Sequence, residues 1–194
     1  MNKKSVALTK EEYVEAVRLL REGFNLNGVS HKPNHQIATI VVLEATLGLR
    51  VGDILKLKLD SFVRDGNRYR LNIREEKTNK TRSFTVPNTV YTFIQDYAIG
   101  IGASRDRKLF TITERQVDRY LLFVFEAMEL DTKNYSSHAF RKYFSMSVYE
   151  NNNYNIELVR VLLQHSSIEI TKRYLNVGTK EIESALLLTA QNII

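Results

Sequence analysis

The sequence predicts a mainly α-helical fold carrying one small three-stranded antiparallel β-sheet, and three observations predict it. Apolar residues recur at helical spacing over most of the 194 positions, and three Ser/Thr-x-x-Glu/Gln boxes mark helix starts. A single stretch, from Phe62 to Val86, alternates apolar and polar residues instead. Only two prolines and eight glycines occur, and neither a low-complexity linker nor an internal repeat divides the chain. One domain spanning 1–194 is therefore expected.

In chain order, Thr9-Lys10-Glu11-Glu12 is a capping box, in which the threonine and the glutamate each satisfy a free backbone donor. It opens a helix with Tyr13, Val14, Val17, Leu19 and Leu20 on one side. Pro33 and Asn34 start a second helix through Ile37, Ile40, Val41, Leu43 and Leu47, which stops at Gly48. Phe62-Val63-Arg64 and Tyr69 to Arg74, joined by Asp65-Gly66-Asn67, read as a β-hairpin. A third strand, Ser83 to Val86, ends at Pro87, and Lys77 to Lys80 lie in the loop before it. After Asn88 the pattern is helical again. Thr113-Glu114-Arg115-Gln116 boxes a helix through Val117, Tyr120, Leu121, Val124 and Phe125. Ser137 suits the cap of a helix bearing His138 and Arg141. A further helix runs from about Ile156 to Leu163, and Ser166-Ser167-Ile168-Glu169 opens a short one carrying Tyr174. Gly178 breaks the chain before a last amphipathic helix, expected within 179–194, with Ile182, Ala185, Leu186 and Thr189 on one stripe.

Lys and Arg number 28 against 22 Asp and Glu, a formal charge of +6 that favours a polyanionic partner. Seven basic residues fall between Arg64 and Arg82. Their plainest reading is a solvated hairpin edge. The chain has no cysteine, which excludes disulfides, thiolate metal sites and a cysteine nucleophile. No apolar run reaches the ~18 residues a membrane helix needs. Nor does an apolar signal core follow the N-terminus, so no membrane and a cytoplasmic location are expected.

Five residues carry chemistry of one kind: Arg50 in Leu47-Gly48-Leu49-Arg50, His138 and Arg141 in His138-Ala139-Phe140-Arg141, His165 in Gln164-His165-Ser166-Ser167, and Tyr174 nine residues on. Guanidinium forks grip two phosphate oxygens at once. Histidine titrates near neutrality and moves protons. A phenol becomes a nucleophile when cations or a base activate it. Each residue alone has a plainer reading. Arg50 with Asp53 could be a structural ion pair, and His138 with Arg141 a surface pair at i and i+3. His165 could be a helix-terminal histidine satisfied by backbone. With ten tyrosines in the chain, spacing from His165 is what singles out Tyr174. Tyr143 and Tyr149 read as core residues.

The ordered set resembles the catalytic domain of the tyrosine recombinases, the phage integrase family. Its arginine turn, hairpin-loop lysine, His-x-x-Arg box, second histidine and tyrosine all occur in order, and His165 to Tyr174 matches nearly position by position. The resemblance implies a DNA breaking-and-rejoining enzyme, a site-specific recombinase or integrase of a phage or mobile element, working through a covalent 3′-phosphotyrosine. Arg50 and Arg141 would hold the non-bridging oxygens, His138 would assist proton movement, His165 would add a hydrogen bond, and Tyr174 would attack. Lys77 is the expected general acid and Lys80 its rival in the same loop. Asp53 would orient Arg50. The flanking Lys80, Arg82, Lys142, Lys172 and Arg173 are the candidate DNA contacts. No metal or cofactor is expected, because side-chain charge does the stabilising and no acidic cluster resembles a two-metal site.

Double-stranded DNA is the expected partner, with a tetramer on DNA, a monomer in solution being compatible, and the last helix docking on a neighbour. Gln164 departs from the family's usual glycine, and Gly52 from a small polar residue. Only about 30 residues precede the catalytic core, so the N-terminal clamp domain common in the family is expected to be absent. Two other readings stand beside this one. One is a type IB topoisomerase. The other is a non-catalytic DNA-binding regulator, which would have no use for Tyr174.

Overall fold

The computed structural model of the chain describes residues 6–75, 81–175, 186–187 and 189–191. It forms two compact units, residues 1–144 and 145–194. The architecture is helical with small antiparallel sheets, as the sequence predicts. No helix among the described residues is long and apolar enough to cross a membrane.

The first unit opens with α1 (Lys10–Glu22), and its capping box forms: the Thr9 side chain accepts from the Glu12 amide, and the Glu12 carboxylate accepts from the Thr9 amide. The helix buries Ala16, Val17, Leu19 and Leu20 and leaves Val14 exposed, so the expected apolar side is narrower than read. Next come β1 (Phe24–Leu26) and β2 (Val29–His31), a hairpin the sequence reading overlooked. Asn27 and Gly28, both at positive φ (50° and 77°), turn it. Its strands hold through packing as well as pairing: the Phe24 ring stacks on His31 at 4.7 Å and meets Tyr120 edge-on at 6.3 Å.

Helix α2 (His35–Leu47) starts where Asn34 Oδ1 accepts from the Ile37 amide. It is the central helix, with Ile37, Ile40, Val41, Leu43 and Leu47 all buried. Gly48 ends it in the left-handed region (φ 58°, ψ 31°), with its amide donating to the Glu44 carbonyl. The short α3 (Val51–Ile54) follows at once. Strands β3 (Phe62–Asp65), β4 (Arg68–Arg74) and β5 (Thr81–Val86) make the expected antiparallel sheet in the order β3-β4-β5. Phe62, Leu71 and Val86 point from it into the core. Helix α4 (Asn88–Gly100) lies beside the sheet, and its Tyr91 stacks on Tyr69 of β4. Helix α5 (Glu114–Ala127) starts at the Thr113–Gln116 box and supplies Val117, Leu121, Val124 and Phe125 to the core. Helix α6 (His138–Asn151) opens with Ser137 immediately before it, and Phe140 packs on Phe125 and Tyr13. As expected, Tyr143 and Tyr149 are packing residues: the former stacks on Tyr13 at 4.6 Å and the latter is buried.

In the second unit, α7 (Ile156–Leu163) is capped by Asn155, and α8 (Ile168–Leu175) follows after a short turn. The cap of α8 is displaced by one residue from expectation: the Ser167 hydroxyl, not that of Ser166, accepts from the Ile170 amide. Of the expected last helix, residues 186–187 and 189–191 are helical, with Leu186 and Leu187 exposed. The rest of it lies outside the described residues.

Candidate functional site

The site is built around the end of α2. A helix C-terminus presents carbonyls without intrahelical partners, carrying partial negative charge. Here they receive arginines. Arg82, from β5, donates Nη1 to the Gly48 carbonyl at 3.2 Å and Nη2 to the Leu47 carbonyl at 3.0 Å. Arg141, from α6, donates Nη1 to the same Gly48 carbonyl at 2.5 Å. Arg50 sits two residues beyond, where the left-handed turn has redirected the chain. Its Nη1 donates to Glu75 Oε2 at 2.7 Å. Glu75 Oε1 lies 3.6 Å from Arg82 Nη1. Three guanidinium groups and one carboxylate thus converge on a single turn.

Burial of these charges is deep. Arg141 is 1% exposed, Arg82 2% and Glu75 fully buried, while the Arg50 side chain retains 20%. Burial, reinforced by the like charge of Arg141 and opposed by Glu75, lowers the Arg82 pKa to about 10. Beneath the turn, Glu44 of α2 is fully buried. Burial pushes its carboxyl well above the ordinary value of 4.5, against the pull of Arg141 and with the push of Asp118 and Glu114.

His138 and Arg141 occupy the first turn of α6, with His138 half-buried. Arg82, a candidate DNA contact by sequence, is buried and faces the α2 carbonyls and the Phe84 ring, 4.5 Å from its Cζ. Lys142 is likewise buried. Asp53 is buried near Arg82, but the carboxylate that grips Arg50 at 2.7 Å is Glu75, which the sequence reading did not single out. No local signal identified Glu75, because its two arginine partners are seven and 25 residues away in sequence. Lys77 and Lys80 lie outside the described residues.

The second unit holds the other pair. His165 follows Gln164, whose left-handed conformation (φ 55°, ψ 36°) ends α7. Glycine suits such a conformation best, which accounts for its usual place there. The His165 amide donates to the Arg160 carbonyl at 3.0 Å, and Arg160 Nη1 donates back to the His165 carbonyl at 3.1 Å. On the ring, Nδ1 lies 3.0 Å from Thr171 Oγ1. The Thr171 hydroxyl also lies 3.3 Å from the Ser167 carbonyl, which holds it beside the ring. Tyr174, one turn after Thr171 on α8, packs its ring edge-on against His165 at 5.2 Å, and its hydroxyl oxygen is shielded from solvent. Lys172 and Arg173 are exposed on the same helix.

A helical domain with an arginine-lined turn, a His-x-x-Arg helix and a histidine–tyrosine pair in order has the catalytic-domain fold of the tyrosine recombinases. The model of the phage integrase family matches residues 8–181, and the chain belongs to that family. Solved structures agree on the fold. XerH site-specific recombinase bound to palindromic difH substrate, a post-cleavage complex, superposes with a TM-score of 0.71 at 17% identity over 95% of this chain and 53% of its own. The catalytic domain of bacteriophage HP1 integrase gives 0.61 at 18% identity over 94% of each chain. A lambda integrase dimer bound to a COC′ core site gives 0.65 at 18% over 90% of this chain and 49% of its own. The chain thus spans about half the length of XerH and lambda integrase. No curated protein matches it.

Proposed function

We propose that this chain is the catalytic part of a site-specific DNA recombinase or integrase of a phage or mobile element. It cleaves and rejoins strands through a 3′-phosphotyrosine at Tyr174. The observation that carries the reading is the convergence of Arg50 and Arg141 on the Gly48 turn, since rigid paired guanidinium groups are what a doubly charged phosphorane needs. In the forward step the Tyr174 oxygen bonds to phosphorus, the bond to the 5′ oxygen breaks, and His138 assists departure of the phenol proton. Lys77, or Lys80 in the same loop, gives a proton to the leaving 5′ oxygen. Arg50 and Arg141 stabilise the non-bridging oxygens, and His165 adds a hydrogen bond. The reverse step rejoins the strand, and the covalent bond conserves the energy of the phosphodiester. Double-stranded DNA is the partner, with a tetramer as the working assembly and the last helix as the subunit contact.

The test needs no known target. The chain is incubated with a random-sequence duplex library nicked to trap cleavage, and SDS-resistant protein–DNA adducts are isolated and sequenced. Recovery of a shared motif is expected. Tyr174→Phe should abolish the adduct and change affinity for the recovered duplex by less than about threefold. Parallel loss of binding, or an adduct that survives the substitution, refutes the assignment.

A further inference from the structure

Three arginines around one turn repel each other, and a partly exposed arginine side chain such as Arg50 can sample several rotamers. Something must hold Arg50 in register. The described site contains a continuous tether: the Gly48 carbonyl accepts from Arg82 (3.2 Å), Arg82 faces Glu75 (3.6 Å), and Glu75 accepts from Arg50 (2.7 Å). The covalent chain closes the loop, because Arg50 is only two residues from Gly48. One edge of the Arg50 guanidinium is thereby fixed by a fully buried carboxylate, itself backed by an arginine anchored to two main-chain oxygens.

The tether also joins the two strand ends on either side of residues 76–80. Glu75 is the residue just past β4, and Arg82 is the second residue of β5, paired with Ile73. The two ends of the connection that carries Lys77 and Lys80 are therefore fastened to the same ion-pair chain as Arg50.

We propose that Glu75 is a positioning residue for the recombination chemistry: with Arg82 behind it, it aims Arg50 at the scissile phosphate. The inference rests on the reading of Arg50 as a phosphate ligand. Glu75 touches neither DNA nor the reacting atoms; it works through Arg50. It also supplies negative charge among three cations, so the arginines can stay charged at close quarters.

The experiment is a double-mutant cycle on single-turnover adduct formation, using the duplex recovered from the library. Its members are the wild type, Glu75→Gln, Arg50→Lys and the double variant. Lysine keeps a cation but lacks the fork that Glu75 grips. Glu75→Gln should slow adduct formation by about 10²-fold with DNA affinity changed less than about threefold. In the Arg50→Lys background the same substitution should cost less than about twofold. Equal losses in both backgrounds overturn the proposal, because Glu75 would then act independently of Arg50.

A DNA-free measurement runs beside it. The Arg50 side-chain N–H resonances, distinct and slowly averaging in the wild type, should collapse in Glu75→Gln while the remaining spectrum stays folded. Unchanged Arg50 resonances overturn the proposal. If Glu75→Gln fails to fold, Glu75→Asp, which withdraws the carboxylate by one methylene, takes its place in both measurements. A wild type that forms no adduct refutes the recombinase reading underneath; a wild type that does, with an additive cycle, refutes this inference alone.

Discussion

Gly48→Ala is the sharpest single perturbation of the arginine cluster. Two terms add. The left-handed conformation at φ 58° costs an L-residue roughly 1–2 kcal/mol, and the stiffer unfolded chain of the alanine variant offsets up to about 1 kcal/mol of that. The new methyl also meets the ring of Phe144, contacting Cδ1 and Cε1 of a buried side chain that cannot swing away, and overpacking of this kind costs roughly 1–3 kcal/mol. The net is about 1–5 kcal/mol, and in a chain of this size each kcal/mol shifts the melting temperature by roughly 2–4 °C. Gly66→Ala is the internal control. Gly66 has nearly the same φ, 62°, but nothing stands within 4 Å of its new methyl. Urea unfolding of both variants separates strain from clash. Gly66→Ala should lose about 1 kcal/mol, and Gly48→Ala should lose at least about 1 kcal/mol more. Equal losses would refute the packing argument.

Other outcomes follow from the same geometry. Glu44→Gln should stabilise the protein increasingly as pH rises: the folded carboxyl has its pKa raised above 4.5, so the wild type binds more protons folded than unfolded and loses stability as pH climbs above 4.5. The difference between variant and wild type should widen as pH rises above 4.5, by at most about 1.4 kcal/mol per pH unit, and a pH-independent difference in unfolding free energy would contradict it. Arg82→Met should lower the melting temperature and leave the salt slope of DNA binding unchanged, whereas Arg173→Ala should reduce that slope by about one; a slope change with Arg82→Met would instead make it a DNA contact. Gln164→Gly should raise stability by up to about 1 kcal/mol by relieving a left-handed glutamine, measured by thermal melting, and a loss would show that its side chain contributes more than the strain costs.

What could be read from sequence was what is decided within a few residues. The boxes at Thr9 and Thr113, the Asn34 cap, the Gly48 stop and the turn at Gly66-Asn67 depend on partners three or four positions away, and all form. The hairpin of Phe24–His31 was equally local, and Asn27-Gly28 announced it. It was missed because its three-residue strands are too short to show alternation. Ser166 and Ser167 offered two registers for one cap, and the hydroxyl geometry chose the second. In the site, the order of Arg50, His138, Arg141, His165 and Tyr174 was legible as a pattern. The roles of Glu75 and Arg82 were not. A basic residue in a strand reads as surface, and only the fold reveals that the strand beginning at Thr81 delivers Arg82 to carbonyls 34 and 35 residues earlier.

The oxygen of residue 48 accepts hydrogen bonds from two arginines brought to it by different elements, β5 and α6. That makes one main-chain atom a gauge for the whole cationic cluster. A carbon-13 label at the Gly48 carbonyl would yield a single spectroscopic line whose frequency senses both donors at once, letting the state of the cluster be followed during titration, heating or substrate addition without altering a side chain.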